Sequence, residues 1–221
     1  MFRQKSLIVL CLLAWLGFPL LAQDAVVPTI TFTLDFPGSE PEHFALSVHA
    51  DGRATYDSNG KLSSLSEEGD PFHLEFIISP ASRQRLFDLA KKSHYFDHDV
   101  DTKLPNIAFT GKKTVTYKDS KKDTEATYNY SANPAVQQLT AFCQQLSQTL
   151  EFGRRLQFYQ RYQKLALDEE LKRMEEMVQD NQLSELPAIA PILQNIANDH
   201  SVLNMVRGRA LRILYKAGIH P

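Results

Sequence analysis

Apolar and polar residues alternate along several short segments in the first 130 residues. In residues 29–36 every second residue is apolar, and this period of two is typical of a half-buried strand. Asp51-Gly52 is a tight-turn signal that favours antiparallel pairing of the strands on either side of it. The same alternation returns in residues 44–48, 53–57, 74–78, 107–109, 114–117 and 126–130. The pattern predicts an antiparallel sheet with one polar face.

A helix that could cover this sheet is predicted over residues 80–92. Ser79 is a good N-cap residue, and Pro80 suits the first helical position. The apolar residues of the segment fall on one stripe of a helix, at Leu86, Phe87, Leu89 and Ala90. We therefore expect this helix to lie on the apolar face of the sheet.

After Asn133-Pro134 the hydrophobic period becomes helical and continues to Gln179 with few breakers. A single helix of this length would measure about 69 Å at ~1.5 Å per residue. That exceeds the width of the preceding small domain, so we expect a projecting arm or a break near Gly153 or Asp168. Two shorter helices, over residues 184–198 and 201–217, are predicted to close the chain.

These elements predict an α+β fold, in which an antiparallel sheet covered on one face by a helix is followed by a long helix and a C-terminal helical hairpin. The predicted organisation is a signal peptide at residues 1–22, an α+β domain at 23–150 and a helical extension at 151–221. Of the 221 residues, 43% are hydrophobic and 23% charged, a globular composition that excludes a disordered chain and a multi-span membrane protein.

The N-terminus has the three parts of a secretory signal peptide. Arg3 and Lys5 precede an apolar run of about 15 residues, which is short for a span of ~20 residues, and Ala22 is a small residue at a cleavage site. We expect cleavage after Ala22 and a secreted or periplasmic protein. The alternative is that the segment stays as a membrane anchor, a possibility raised by the bulky Leu20.

The net charge excludes one class of function, and the cysteine content excludes one means of stabilisation. The formal charge is −2, and losing Arg3 and Lys5 with the signal peptide takes it to −4, so no basic field exists to bind nucleic acid. Cys11 lies in the signal segment, which leaves Cys143 alone in the mature chain. An intrachain disulfide is then impossible, and stability must come from the core.

Two parts of the sequence resemble known families. Residues 29–150 resemble a family of small bacterial envelope domains of unknown function, although they lack the cysteine-containing first strand of that family. The resemblance implies the fold and brings no catalytic residues. It is carried by Asp51-Gly52-Arg53, Tyr56, Ser79-Pro80, Leu86, Leu89-Ala90, Tyr95-Phe96 and Pro134. Separately, residues 186–214 are similar to one HEAT-type helical hairpin, a unit that normally stacks on copies of itself.

The sequence lacks the common catalytic motifs: a Gly-rich phosphate loop, HExxH, a CxxC pair and GxSxG. We predict no cofactor. The strongest remaining candidate for chemistry is residues 94–101, because two imidazoles and three carboxylates there could hold a metal ion. The donors are His94, Asp97, His98, Asp99 and Asp101. The favoured alternative is a solvated loop between a helix and a strand, anchored by Tyr95 and Phe96.

Three strand histidines and Cys143 could also be reactive, but ordinary structural roles explain them as well. His43, His49 and His73 fall on the polar phase of their strands and could converge on the exposed face of the sheet, but surface histidines explain them as well. Cys143 lies on the apolar stripe of its helix, which favours a buried, inert thiol over a reactive one.

The segment around residue 158 is the predicted partner surface, because arginine and aromatic side chains together are enriched at protein interfaces. A helix of ~46 residues cannot bury its whole length on strands of ~5 to 8 residues, and the C-terminal helices can cover its far end. The middle of the long helix, residues 154–162, should then be its least covered stretch. Packing within the domain and contact with a lipid surface are the alternatives. The predicted contact residues are Arg154, Arg155, Phe158, Tyr159 and Tyr162.

The sequence therefore favours a secreted or periplasmic, non-enzymatic protein-interaction module that binds another envelope protein and, after signal cleavage, does not contact the membrane. The first alternative is an envelope hydrolase or metal-dependent enzyme that uses residues 94–101. The second is a homodimer formed through the long helix, for which Leu156 and Leu171 would be interface residues.

Overall fold

The computed structural model describes residues 26–63, 66, 68–103 and 105–220. The predicted signal peptide, residues 1–22, lies outside the described residues. The described chain has an α+β fold, as the sequence predicts, with one six-stranded antiparallel sheet and five α-helices.

The strands follow the predicted alternation, except in one place. They pair in the spatial order β4-β3-β2-β1-β5-β6, and every pairing is antiparallel. Their bounds are β1 Thr29–Asp35, β2 His43–His49, β3 Arg53–Ser58, β4 Phe72–Ile77, β5 Lys112–Lys118 and β6 Asp123–Tyr128. Ile30, Phe32 and Leu34 are buried on the covered face, and the threonines between them lie on the open face.

The prediction of a strand at residues 107–109 is wrong, because these residues form an irregular loop in which Phe109 is exposed. The side chain of Asn129 takes the place of a neighbouring strand there. Its Oδ1 accepts from Thr110 N–H at 2.8 Å, and its Nδ2 donates to the carbonyl of Ala108 at 3.1 Å. Because a side chain satisfies these backbone groups, the segment needs no strand partner.

The five helices are α1 Pro80–Lys92, α2 Pro134–Tyr162, α3 Leu167–Gln179, α4 Ala190–Asn198 and α5 Asn204–Lys216. The predicted caps are present. Ser79 Oγ accepts from Ser82 N–H at 3.3 Å at the start of α1, and Asn133 Oδ1 accepts from Ala135 N–H at 2.9 Å at the start of α2. Each cap satisfies a backbone donor that the first helical turn leaves free.

The long helical segment is broken, near Asp168 and not at Gly153. Helix α2 ends at Tyr162, Gln163 leaves helical geometry with φ −144° and ψ 58°, and a short 3-10 turn at Lys164–Ala166 leads into α3. We call this junction, residues 163–166, the elbow. The chain turns here, so α3 packs back against α2 instead of projecting as an arm.

The C-terminal helices share one hydrophobic core with the sheet. The predicted domain boundary between residues 150 and 151 falls inside the continuous helix α2. Glu185, just before α4, accepts from Ser79 N–H at 2.6 Å and from Ser79 Oγ at 2.9 Å, which ties the C-terminal part to the start of α1. Leu156 and Leu171 are fully buried within the chain. Replacing either leucine with aspartate would therefore put a charge into the core and destabilise the protomer itself. Loss of a dimer in such variants would not identify an interface.

In the part of the chain that the structure describes, no helix combines the length and the apolar character needed to cross a bilayer.

Candidate functional site

A cleft of about 740 Å³ lies between the loop that follows β3 and the elbow side of α2 and α3. We call it the elbow cleft. Tyr159, Gln163 and Ala166 contribute to its lining on the helical side. Basic side chains come from Lys61, Arg155, Lys172 and Arg173, and four glutamates also line the cleft, so that its formal charges cancel.

The floor of the cleft is an ion-pair triad that joins α2 to α3, in which Arg155 and Glu170 are largely buried and Arg173 is exposed. Arg155 Nε donates to Glu170 Oε1 at 2.7 Å, and Arg173 Nη2 donates to the same oxygen at 3.0 Å. Both guanidinium groups lie over the ring of Phe152, at 5.0 and 4.9 Å from its centroid. The triad holds the two arginines in place, because each is bound to a carboxylate and also stacked on an aromatic ring.

The loop wall of the cleft is anchored by Arg154. Its Nη1 donates to the carbonyl of Gly60 at 3.1 Å and its Nη2 donates to the carbonyl of Asp70 at 2.8 Å. Asp70 N–H also donates to the carbonyl of Gly60 at 3.0 Å. The two ends of the loop are thus closed on each other and clamped to α2, which positions Lys61 at the cleft.

Beneath this clamp lies a buried carboxylate. Glu151 is 2% exposed, and its Oε1 accepts from Tyr56 Oη at 3.0 Å and from Ser58 Oγ at 2.5 Å. Its Oε2 lies 3.7 Å from Arg154 Nη1 and has no hydrogen-bond partner among the described residues. Burial, together with the nearby Glu151 carboxylate, raises the pKa of the Tyr56 hydroxyl well above its usual value.

The five predicted contact residues do not share one exposed surface. Arg154 and Tyr159 are each 7% exposed, Arg155 is held in the triad, and Phe158 is packed against the core. The expectation that this is the least covered stretch is therefore wrong for most of it, because the carbonyls of Gly60 and Asp70 contact Arg154 and helix α3 packs against α2. Tyr162 differs, with 63% of its surface exposed. A role for the five in binding stays a prediction.

Leu165, at the elbow, is the exposed residue that the sequence analysis missed. It is 87% exposed, more than any other large hydrophobic residue that the structure describes. It lies within residues 134–179, whose helical period assigns it to the apolar stripe. The break at Gln163 turns it outward, and a helix-ending signal at residues 163–166 is what could have revealed it.

The predicted metal donors lie in a loop after α1, and each is engaged locally. His98 Nδ1 lies 3.1 Å from Asp97 Oδ1, which holds the pKa of the Asp97 carboxyl below its usual value. Lys103 Nζ donates to Asp99 Oδ2 at 3.1 Å, and Asp101 Oδ1 accepts from Asn129 N–H at 3.3 Å. The rings of His94 and His98 are 5.8 Å apart. Within the described ranges, no three His, Cys, Asp or Glu side chains are grouped closely enough to hold a metal ion.

The strand histidines lie on the open face of the sheet, in the predicted phase, but they do not converge. His43 and His49 stand at opposite ends of β2, where they contact Asp35 at 2.6 Å and Thr29 at 2.8 Å. His73 on β4 contacts Asp57 at 2.6 Å. The hydrogen bond to Asp57 raises the pKa of His73 above its usual value. Each ring has a separate partner, and neither serine nor cysteine is among these contacts.

Cys143 is 1% exposed, and burial raises the pKa of its thiol well above the usual value. Since the thiolate is the reactive form and each pKa unit lowers its population tenfold, we expect native Cys143 to react with a thiol reagent at least a hundredfold more slowly than the denatured chain. A colorimetric thiol assay with and without denaturant measures this. Rapid labelling of the folded protein at Cys143 would contradict the buried position.

No protein-family model matches the chain, and no relative was found among curated proteins.

Proposed function

We propose that this is an exported, non-enzymatic protein that binds another envelope protein through the elbow. The contact surface, which we call the elbow surface, consists of the elbow cleft together with Tyr162 and Leu165. The observation that carries the proposal is the 63% and 87% exposure of these two large side chains, on either side of the cleft residue Gln163.

An apolar anchor beside a charged recess is the arrangement that favours protein binding. A single exposed hydrophobic residue on a surface is unremarkable, but here two large ones lie within four residues of each other in the chain. The ring of Tyr162 lies 5.2 Å from that of Phe158, so it is already supported and loses little freedom on binding. The charged cleft supplies the polar rim that surrounds such anchors in known interfaces.

The exported location is supported by the sequence of residues 1–22. The basic start at Arg3 and Lys5, the short apolar run and the small Ala22 favour a cleaved signal peptide. The resemblance of residues 29–150 to small envelope domains favours the same compartment, and we propose membership of that group on this ground. Intact mass of the exported protein tests cleavage after Ala22.

The binding proposal is tested by replacing Tyr162 and Leu165 together with serine. Because both side chains are exposed, we expect the free energy of unfolding to change by less than about 0.5 kcal/mol per site. Photo-crosslinking in the native compartment, with a photoreactive residue at Arg161, should give a discrete crosslinked partner that the double substitution removes.

The matched control is a pair of other exposed large apolar residues, Ile77 at 71% and Tyr215 at 54%. Their replacement by serine should leave the crosslink from position 161 intact. If both double variants weaken the crosslink equally, exposed apolar area in general is responsible and the elbow surface is not the contact site.

A further inference from the structure

Strand β6 forms one edge of the sheet, and half of its backbone groups point away from the other strands. The hydrogen bond from Asp119 N–H to the carbonyl of Lys122, at 2.8 Å, closes the β5–β6 hairpin. It also fixes which residues of β6 bond to β5 and which direct their backbone groups outward, because these two kinds alternate along an antiparallel strand. By that alternation Thr124 and Ala126 bond to β5, whereas Asp123, Glu125 and Thr127 direct N–H and C=O outward. In the described part of the chain no other segment pairs with these outward groups.

This edge borders a groove and is not simply open to solvent. A recess of about 450 Å³ lies between β6 and the loop after α1. Residues 124–127 line one side of it, and residues 96–99 line the other. Four consecutive strand residues facing a recess provide a template for a further strand, because unpaired edge groups recruit extended chains.

The chain itself uses the continuation of this edge. Thr102 N–H donates to the carbonyl of Tyr130 at 2.8 Å, and Ala132 N–H donates to Thr102 Oγ1 at 2.7 Å. A short segment thus lies alongside the chain just beyond β6 and leaves the outward backbone groups of residues 123–127 without a strand partner. This stretch is about 17 Å long at ~3.4 Å per residue, enough for a segment of about five residues.

The charges beside the groove indicate which side chain the added segment carries. Three of the four carboxylates near it have a lysine partner: Asp97 with Lys122, Asp99 with Lys103 and Asp123 with Lys118. Glu125, at the centre of β6, forms no ion pair with a described residue. A cation directly opposite Glu125 would supply the missing partner.

Residues next to that cation would point to the other face of the sheet. There they would stand opposite Ala126, which is apolar, and opposite Thr124, whose hydroxyl already donates to the carbonyl of Tyr95. Neither position offers a charged partner. The alternation along the added segment is therefore apolar, cationic, apolar.

We propose that the groove beside β6 accepts an extended segment of a partner protein as a seventh strand, with a lysine or arginine opposite Glu125 and apolar residues on either side of it. The site is separate from the elbow surface and does not depend on it.

The test uses a synthetic probe, an acetylated and amidated heptapeptide of alternating threonine and valine with lysine at its centre. Added at up to millimolar concentration to the isotope-labelled mature protein, it should shift and protect the amides of Asp123, Glu125 and Thr127. The same peptide with a central glutamate should bind roughly tenfold more weakly, because like charges then stand opposite each other.

Two matched variants distinguish this edge from the other. Glu125→Pro removes an outward N–H, which an edge strand tolerates, and should abolish peptide binding. Glu75→Pro makes the same change at the centre of β4, the opposite edge, and should leave binding unchanged. If the proline variant fails to fold, Glu125→Lys keeps the backbone intact and should reverse the preference to the glutamate-centred peptide.

Four outcomes would overturn the proposal. The first three are equal binding to wild type and Glu125→Pro, amide shifts confined to β4, and no amide shift at millimolar peptide. A wild-type dimer that Glu125→Pro dissociates in sedimentation would also overturn it, by assigning the edge to a second copy of this chain. Binding that persists in the Tyr162→Ser, Leu165→Ser variant would show that the two sites are independent.

Discussion

Replacing Arg154 with alanine is expected to lower the free energy of unfolding by about 3–5 kcal/mol. The substitution removes the hydrogen bonds to the carbonyls of Gly60 and Asp70 and the contact of the guanidinium with the ring of Phe72, at 4.9 Å. It also leaves the buried Glu151 carboxylate without its neighbouring cation. Chemical denaturation at pH 7 measures the loss.

Arg161 provides the matched control for this substitution, since it lies on the same helix but is exposed. Arg161→Ala should change the free energy of unfolding by less than about 0.5 kcal/mol. Adding Glu151→Gln to Arg154→Ala should recover part of the loss, because a neutral amide has a smaller desolvation cost than an unpaired carboxylate. A loss below about 1 kcal/mol for Arg154→Ala would mean that the loop at residues 60–70 is held in another way.

Replacing Gly153 with alanine is expected to destabilise the protein by about 1–3 kcal/mol, although alanine is the better helix former. A Cβ atom at this position would lie 2.5 Å from Ile189 Cγ2 and 3.2 Å from Ile192 Cδ1. Helix α2 and the segment that leads into α4 would have to separate, which disrupts the packing of the C-terminal helices. Thermal and chemical unfolding both measure this effect.

Gly208 is a second helical glycine, and replacing it with alanine should change the free energy of unfolding in the opposite direction. A Cβ atom there would meet only Arg212 Nη1, at 3.6 Å, which is ordinary contact. Gly208→Ala should therefore stabilise helix α5 by up to about 1 kcal/mol. If Gly153→Ala and Gly208→Ala both stabilised the protein, helix propensity would outweigh the contact with Ile189, and the close approach at Gly153 would be refuted.

The contrast between these glycines shows what a local pattern can and cannot decide. On the sequence, Gly153 is a candidate break in a long helix, because glycine is a poor helix former. In the structure α2 continues through Gly153, where a Cβ atom would lie 2.5 Å from Ile189 Cγ2, and the break occurs at Gln163 instead. A contact 36 residues away decides the outcome, and no local signal at residue 153 carries that information.

The same distinction applies to the surfaces. Arginine and aromatic residues in α2 have the composition of an interface, yet Arg154 binds loop carbonyls more than 80 residues away and Arg155 binds Glu170 on the returning helix. The elbow exposes Leu165 for the same reason. Side-chain exposure on an amphipathic helix depends on how many elements pack around it, and the period of the sequence identifies only the first apolar stripe.

The sequence by itself determined the α+β class, the phase of the strands and the caps of the first two helices, because a period of two, a period near 3.6 and the residues that begin a helix are local properties. It also determined that only one cysteine follows the predicted signal peptide. Only the tertiary structure decided where the long helical segment breaks, which of its residues remain exposed, and that the edge of β6 borders a groove. Those features arise where distant segments meet, and their free energy comes from burial and hydrogen bonding between residues that are neighbours only in the folded chain.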